Sequence, residues 1–455
     1  MKADKTDLER IYYSAIARYD RDLIETYYKR GKTYLKLKQY EQAIEDFNTV
    51  LQLDDRNIQA YLIRGYSYGE IKQFPQEIAD YTRAIELSPE LAKAYRSRGY
   101  AYGILQDYQQ AITDFSRAIE LAPDYTQAYY NRGCTYNIVR KHHKALLDFN
   151  RVIELNPDNA SALYHRGNLH SFLENNQQAL ADFNESIKLD SNHAKAYSAR
   201  GRCNSTLGNH HNAIIDYSQA IALDPQDWQS IYSQGDGYVE IKDYCNALAS
   251  YNEVLRLKPD LTAAYRDRAN VYGKLKRFGE AIADYSRVID LDPHDDEAFY
   301  HRGNAYNFLQ EYYQAIVEYD RCISLNQNNG NAFYNRGLTY SCLGQYLEAI
   351  YNYNRAVALM PKSALVYNNR GNAWKELGEC RKAIVDYTEA IFYDSNYSDA
   401  YYNRGLLYHS LQEKQRSLKD LSLAADLFAR QGKKNIAQQI SNKIQDMYGV
   451  RQMVG

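Results

Sequence analysis

Asparagine, histidine and tyrosine side chains recur inside variants of one hexapeptide. AYYNRG occurs at 128–133 and 400–405, AFYNRG at 332–337, AFYHRG at 298–303 and ALYHRG at 162–167. An asparagine amide donates to a carbonyl and accepts from an N–H, so a row of amides could hold an extended peptide whatever its sequence. Tyrosine adds flat contact area and a hydroxyl. These residue types favour binding of a peptide backbone over catalysis.

The glycine of the hexapeptide shows how these side chains are spaced. It recurs every 34 residues from Gly31 to Gly405, and Ala269 is the one replacement. A fixed period of this size indicates a solenoid of repeated units. Twelve units fill residues 24–431, and the glycine stands at position 8 when each unit is numbered from 1.

Each unit carries the pattern of two helices joined by a short turn. Positions 4, 8 and 11 share one stripe of a first helix, helix A, and positions 20, 21, 24, 27 and 28 share one stripe of a second, helix B. Proline at position 32 of seven units ends helix B. Small residues at positions 8 and 20 face aromatic residues at positions 4, 11 and 24. The pattern therefore predicts an all-α protein of closely packed helix hairpins.

This pattern resembles the tetratricopeptide repeat (TPR) family over residues 24–431. The resemblance implies a right-handed superhelix (an α-solenoid) of antiparallel hairpins, with helix A lining a concave groove that holds extended peptides. The closing stretch LSLAADLFARQGKKNIAQQISNKIQDMYG is similar to the end helix of long TPR proteins of photosynthetic bacteria. Residues 1–23 are expected to form a capping helix, as a degenerate half repeat, and residues 432–455 a second capping helix and tail.

A charged pair recurs in the units. Position 7 is arginine in eleven units and position 23 is acidic in ten, while the unit with Gln234 in place of the arginine has Ser250 in place of the acid. The covariation within the chain predicts an ion pair between helices A and B of one unit. A ladder of arginines that binds anions is the alternative interpretation.

Other classes of site lack a supporting pattern. The pairs His142–His143 and His210–His211 suggest metal ligands, but their first members stand at position 17, where other units carry a packing aromatic residue. The sequence has no GxGxxG or GxxxxGK[ST] loop, no catalytic grouping and no CxxC pair among its six cysteines. We therefore expect no enzyme activity, no metal and no cofactor.

Composition narrows the expected partners and location. Lys and Arg number 55 against 57 Asp and Glu, so no basic excess indicates nucleic acid. No apolar run is long enough to span a membrane, and the N-terminus lacks an apolar core of signal-peptide type. We expect a cytoplasmic protein, a monomer with a homo-oligomer as the alternative.

Positions 2, 5, 6, 9, 12 and 13 of helix A turn away from the packing stripe and differ most between units. We expect them to bind protein partners or extended peptides, and plain solvated groove residues are the alternative. The predicted function is a non-catalytic scaffold or adaptor. The alternatives are an assembly or targeting factor for a multiprotein complex or a separately encoded enzyme, with membrane-associated photosynthetic machinery as one such system, and a structural repeat array with no dedicated groove ligand. The candidate residues are Tyr130, Asn131, Tyr164, His165, Asn168, Tyr300, His301, Asn304, Tyr334, Asn335, Asn369, Asn372, Tyr402 and Asn403.

Overall fold

The computed structural model describes residues 5–449, and over that range it contains helices and no strand. The prediction of an all-α protein is therefore confirmed. The helices are α1 Lys5–Lys36, α2 Tyr40–Leu53, α3 Ile58–Glu70, α4 Phe74–Leu87, α5 Ala92–Ile104, α6 Tyr108–Leu121, α7 Thr126–Ile138, α8 His142–Leu155, α9 Ala160–Phe172, α10 Asn176–Leu189, α11 Ala194–Thr206, α12 His210–Leu223, α13 Trp228–Glu240, α14 Tyr244–Leu257, α15 Thr262–Lys274, α16 Phe278–Leu291, α17 Asp296–Phe308, α18 Tyr312–Leu325, α19 Gly330–Cys342, α20 Tyr346–Leu359, α21 Ala364–Glu376, α22 Cys380–Tyr393, α23 Ser398–Ser410, α24 Lys414–Arg430 and α25 Lys434–Tyr448.

Each 34-residue repeat forms one hairpin, in which helix A packs on helix B at the predicted positions. Gly167 at position 8 lies against the aromatic ring of Phe183 at position 24, and a Cβ on this glycine would come within 2.7 Å of the ring. Ala179 at position 20 and Phe183 are fully buried. Small residues at positions 8 and 20 thus let the two helices approach, as the repeat pattern predicts.

The turn between helices A and B depends on one residue in the left-handed conformation. Position 15 has a positive φ in every repeat, for example 61° at Lys72, 65° at Gln106 and 77° at Gly208. Glycine occupies this position in only three repeats. The conformation costs about 1–2 kcal/mol at a single non-glycine residue, and the packing of the hairpin offsets this cost in the other nine repeats.

The chain divides into two compact units at residues 227 and 228. The first unit holds repeats one to six around a row of buried rings, among them Phe115 and Phe149. The second unit holds repeats seven to twelve around buried tyrosines, among them Tyr319 and Tyr353. Within each unit, helix B of one repeat packs on helix A of the next, so hairpins stack into a solenoid.

The N-terminal segment differs from the predicted separate cap at residues 1–23. One helix runs without a break from Lys5 to Lys36, and Ile11, Tyr12 and Tyr19 are 63–68% exposed. The prediction of a half repeat that folds over the first hairpin is therefore wrong within the described residues. The physical reason is local: no glycine or proline precedes Gly31 in this helix, so nothing ends it near residue 23.

At the other end, α25 packs on the last repeat. Ile440 and Ile444 are buried with Leu421 and Phe428 of α24 in one apolar cluster. Residues 450–455, the predicted tail, lie outside the described residues. No helix between residues 5 and 449 is both long enough and apolar enough to cross a membrane.

Candidate functional site

The predicted ion pair between helices A and B forms in ten repeats. In repeat nine, Arg302 donates from Nε to Glu318 Oε2 at 2.9 Å and from Nη2 to Oε1 at 2.8 Å. This two-point geometry suits the planar guanidinium and fixes the register of the two helices.

The arginine also binds the preceding repeat, which the sequence pattern did not reveal. Arg302 Nη1 donates to Ser286 Oγ at 2.9 Å, and Arg98 Nη1 donates to Thr82 Oγ1 at 3.0 Å. The ring at position 4 lies beneath the guanidinium, at 5.7 Å for Arg98 over Tyr95. One side chain therefore joins three helices. Because its guanidinium is mostly buried and already hydrogen-bonded, the repeated arginine has a structural role and does not form a ladder that binds anions.

Repeat ten shows how a missing acid is replaced. Its position 23 is Asn352, whose Oδ1 accepts from Arg336 Nε at 2.7 Å. The charge of Arg336 is balanced by Asp320 at position 25 of repeat nine, the position that is neutral in the pairs described above. The buried guanidinium thus keeps a carboxylate partner from a neighbouring repeat.

We call positions 2, 5, 6, 9, 12 and 13 of the A helices the helix-A face. In six repeats the tyrosine at position 5 of this face is half-buried and packs on the ring at position 24 of its own repeat. Repeat twelve has Leu421 at position 24, and Tyr402 packs against the apolar cluster that contains it. Tyr300 lies 6.2 Å from Tyr319, and Tyr334 lies 6.0 Å from Tyr353, as tilted ring pairs. One side of these candidate tyrosines is therefore committed to packing, and the other side and the hydroxyl remain for contacts along the face.

The asparagines of repeats nine to eleven form hydrogen bonds from one repeat to the next. Asn335 Nδ2 donates to Tyr300 Oη at 3.0 Å and to Asn304 Oδ1 at 2.8 Å. Asn304 Oδ1 also accepts from Tyr319 Oη at 2.8 Å. Asn369 Nδ2 repeats the pattern by donating to Tyr334 Oη at 2.8 Å. The structure brings these candidate residues together as one polar row.

The row continues into repeat twelve with changed partners. Asn403 Nδ2 donates to Asn368 Oδ1 at 3.0 Å, and Asn372 Oδ1 accepts from Tyr387 Oη at 2.8 Å. Tyr402 Oη lies 3.4 Å from Lys443 Nζ of α25. Neighbouring side chains therefore already accept hydrogen bonds from amide N–H groups that were expected to bind a peptide. The amide oxygens of Asn335, Asn369 and Asn403, which no hydrogen bond among the described residues uses, are the acceptors left for a ligand.

In repeats four and five the candidate residues form an aromatic cluster. His165 stacks on Phe149 at 5.4 Å and touches Tyr130 and Tyr164 edge to face at 5.7 and 5.2 Å. Burial lowers the pKa of His165, with smaller effects of nearby cations, so the ring is neutral at pH 7. His301 stacks on Tyr285 in the same way, at 5.7 Å. Both histidines act as packing rings on the helix-A face.

Two asparagines of the first unit differ from the polar row. Asn131 Oδ1 accepts from Gln127 Nε2 at 3.3 Å, while its Nδ2 is buried without an acceptor among the described residues. The Asn168 side chain makes no hydrogen bond within residues 5–449. The structure therefore does not continue the polar row of the second unit through these two candidates.

Three cavities on the helix-A face share a feature that the sequence reasoning missed. They measure about 380, 240 and 310 Å³, and their linings contain Gly69, Gly103 and Gly273, each at position 12. Each cavity lies between the A helices of two successive repeats, above the ring at position 24. In the repeat alignment these glycines replace larger side chains at position 12, and this replacement is the sequence signal that could have indicated the cavities.

The largest of these cavities holds an unusual acid. Glu77 stands at position 20, where most repeats have alanine, and it is 6% exposed beside Gly69. Burial and the nearby Glu70 raise the pKa of Glu77 to about 7, and Arg96 opposes this shift. Arg96 Nη2 donates to Ser97 Oγ at 3.1 Å, but its buried Nε has no acceptor among residues 5–449.

The histidine pairs show no ligand arrangement. His142 packs on Phe172 with ring centroids 4.5 Å apart, which fits the packing role expected at position 17. Over residues 5–449 no three His, Cys, Asp or Glu side chains are grouped as they would be around a metal ion.

The hairpin geometry and repeat pattern agree with comparisons to known proteins. Profiles described as "Tetratricopeptide repeat" and "TPR repeat" match stretches that together cover residues 24–227 and 270–443. The chain belongs to the tetratricopeptide repeat family. This assignment supports a protein-interaction scaffold.

Several solved structures are similar to the chain. MamA is 24% identical and covers 37% of this chain and 92% of its own, with a TM-score of 0.36. YrrB, described as a TPR protein with an unusual peptide-binding site, is 23% identical over 40% of this chain and 95% of its own, with a TM-score of 0.37. The APC/C hetero-tetramer Cut9–Hcn1 is 13% identical over 92% and 95%, with a TM-score of 0.42. Comparison with curated proteins finds no match.

Proposed function

We propose that this protein is a non-catalytic scaffold that binds an extended segment of a protein partner on the helix-A face. The observation that carries the proposal is the polar row of repeats nine to twelve. Its side chains come from successive A helices and are held in place by their own hydrogen bonds. A preorganised row loses little side-chain entropy when a ligand binds.

The chemistry of the row sets what it can recognise. Both N–H groups of Asn335 are engaged, so the free carbonyl oxygens of Asn335 and Asn369 are available to accept from a ligand. An extended peptide offers backbone N–H groups in a regular series, independent of its sequence. Tyr300 and Tyr334 add flat apolar contact beside these acceptors.

The test begins with a random linear 12-mer peptide library displayed on phage and selected on the immobilised full chain. The triple variant Asn335→Ala, Asn369→Ala, Asn403→Ala is then titrated with the selected peptides. Each lost amide contact removes about 0.5–1.5 kcal/mol of binding free energy, so three should weaken binding by about ten- to a hundred-fold or more. Unchanged affinity of every selected peptide would rule out the row as the binding site.

A matched control separates binding from folding. Tyr300→Phe with Tyr334→Phe removes the hydroxyl acceptors of Asn335 and Asn369, and so breaks inter-repeat hydrogen bonds of the same row while keeping the amides. The proposal expects the phenylalanine variant to bind peptide within about three-fold of the parent. If it loses affinity as strongly as the alanine variant, the amides act on stability and not on the ligand.

A further inference from the structure

Two of the position-12 glycines have no packing reason to be glycine. A Cβ on Gly103 or Gly273 would meet no atom of another element within 4 Å. This contrasts with the position-8 glycines, where the position-24 side chain lies in the way. Neither residue has a positive φ, because position 15 supplies the left-handed residue of the turn. A glycine that is needed for neither packing nor conformation leaves a recess in the surface.

The recess at Gly103 is apolar and rimmed by exposed rings and branched chains. Its volume is about 240 Å³, and a cavity of about 150 Å³ is already large enough for benzene. Tyr100, Ile104 and Ile138 on its rim are 54, 43 and 58% exposed. Such exposed apolar groups around a mostly apolar recess fit a large apolar side chain of a partner.

The other two recesses differ from this one in their chemistry. At Gly69 the carboxyl group of Glu77 occupies the space that a Cβ would take, within 2.7–2.9 Å. At Gly273 the lining includes Lys274, His301 and Asn304. The lining of the Gly103 recess includes the polar residues Asn131 and Thr135 but, unlike the other two, no charged residue, which suits it to an apolar side chain.

Buried donors beside the recess indicate what else the occupant must offer. Asn131 Nδ2 lies in the wall of the Gly103 recess, and Arg96 Nε lies one repeat earlier in the wall of the adjoining cavity. Both N–H groups are buried without an acceptor among the described residues, which is costly. A turn of either side chain towards the recess would bring its N–H group to an acceptor that a bound partner supplies. An extended peptide presents backbone carbonyls, and about three residues at ~3.3 Å each span the ~8–10 Å between neighbouring helices.

From these observations we propose that repeats three and four form a specificity pocket, in which Gly103 admits a large apolar side chain of an extended peptide and Arg96 and Asn131 bind its backbone carbonyls. The proposal rests on the proposed function of the helix-A face, and it adds the side-chain class that the first unit selects.

The test uses the same random 12-mer library on the full chain, with a single substitution that fills the recess. Gly103→Leu places a side chain in open space, so the variant should melt no lower than the parent. The peptides that the triple asparagine variant still binds as tightly as the parent should share a large apolar residue, and their affinity should fall about ten- to a hundred-fold in Gly103→Leu. Gly273→Leu, the same change at the same repeat position in the other unit, should leave their affinity unchanged.

The outcomes separate this inference from the proposed function. If some selected peptides lose affinity in the triple asparagine variant and none loses affinity in Gly103→Leu, the pocket is overturned and the scaffold stands. Peptides that lose affinity in Gly103→Leu but lack a large apolar residue would overturn the pocket as well. Failure to select any peptide on the parent chain would overturn both.

Discussion

A double-mutant cycle on Arg302 and Glu318 tests whether the repeated ion pair fixes register without adding much net stability. Glu318 is buried, and burial raises its pKa by more than Arg302 lowers it. The unfavourable effect of desolvation on the ionised carboxylate is therefore larger than the favourable effect of Arg302. An ion pair of this kind is neutral when both partners become apolar, but removal of one partner leaves a buried charge unpaired.

The geometry sets the expected magnitudes. Arg302→Leu leaves the buried Glu318 carboxylate without its partner and also removes the hydrogen bond to Ser286, so local stability should fall by about 3–5 kcal/mol. Glu318→Leu leaves a mostly buried guanidinium without its partner and should lower local stability by about 3 kcal/mol. The double variant loses mainly the Ser286 bond, worth about 1 kcal/mol. The coupling free energy should therefore be about 5 kcal/mol or more.

Hydrogen exchange followed by mass spectrometry is the suitable assay, because a solenoid opens locally and a global melt averages over twelve repeats. Exchange of the α17 and α18 amides reports the free energy of opening of repeat nine. Arg336→Leu is an internal control: its acid partner, Asp320, is 53% exposed and can be hydrated, so the expected cost is only about 1–2 kcal/mol. A double variant as unstable as the sum of the two single variants would refute the reasoning.

Three further predictions concern stability. Glu77→Gln should raise the local stability of repeat two by about 1–2 kcal/mol at pH 8 and have little effect near pH 4.5. The folded chain holds the Glu77 proton up to about pH 7, so it loses stability as pH rises through 4.5–7. Hydrogen exchange at the two pH values measures this, and equal effects at both would contradict it. Gly167→Ala should lower the melting temperature by overpacking against Phe183, while Gly103→Ala should raise or preserve it; the opposite order would contradict the glycine contacts. Removal of residues 1–20 should leave the melting temperature within about 2 °C, since side chains 8–19 are almost entirely exposed; a larger fall would indicate a capping role after all.

The hairpin architecture was predictable because its determinants are local and repeated twelve times. Gly167 opposite Phe183, and Arg302 opposite Glu318, recur at fixed positions, so one pairing rule accounts for the whole array. The bond from Arg302 to Ser286 was not predictable, since the acceptor at position 25 varies between serine, threonine, asparagine and aspartate and carries no constant signal.

The face that carries the candidate site was predictable, but the state of its side chains was not. Helical periodicity places Asn335 and Asn369 on one face, yet which amide atoms are free depends on Tyr300 and Tyr334 in the preceding repeats. The continuous α1 was missed for a different reason. An apolar stripe such as that of residues 8–19 predicts a covered face, and in this chain none of the described elements covers it.

The most direct measurement of the central account is a photo-cross-linking experiment with a peptide selected on the full chain. A benzoylphenylalanine is placed singly on the helix-A face, at Tyr100 or at Lys375, and in two controls at exposed helix-B positions, Leu147 or Val385. The account predicts cross-links from Tyr100 or Lys375 and none from Leu147 or Val385. Cross-links from the helix-B positions with none from the helix-A face would contradict it.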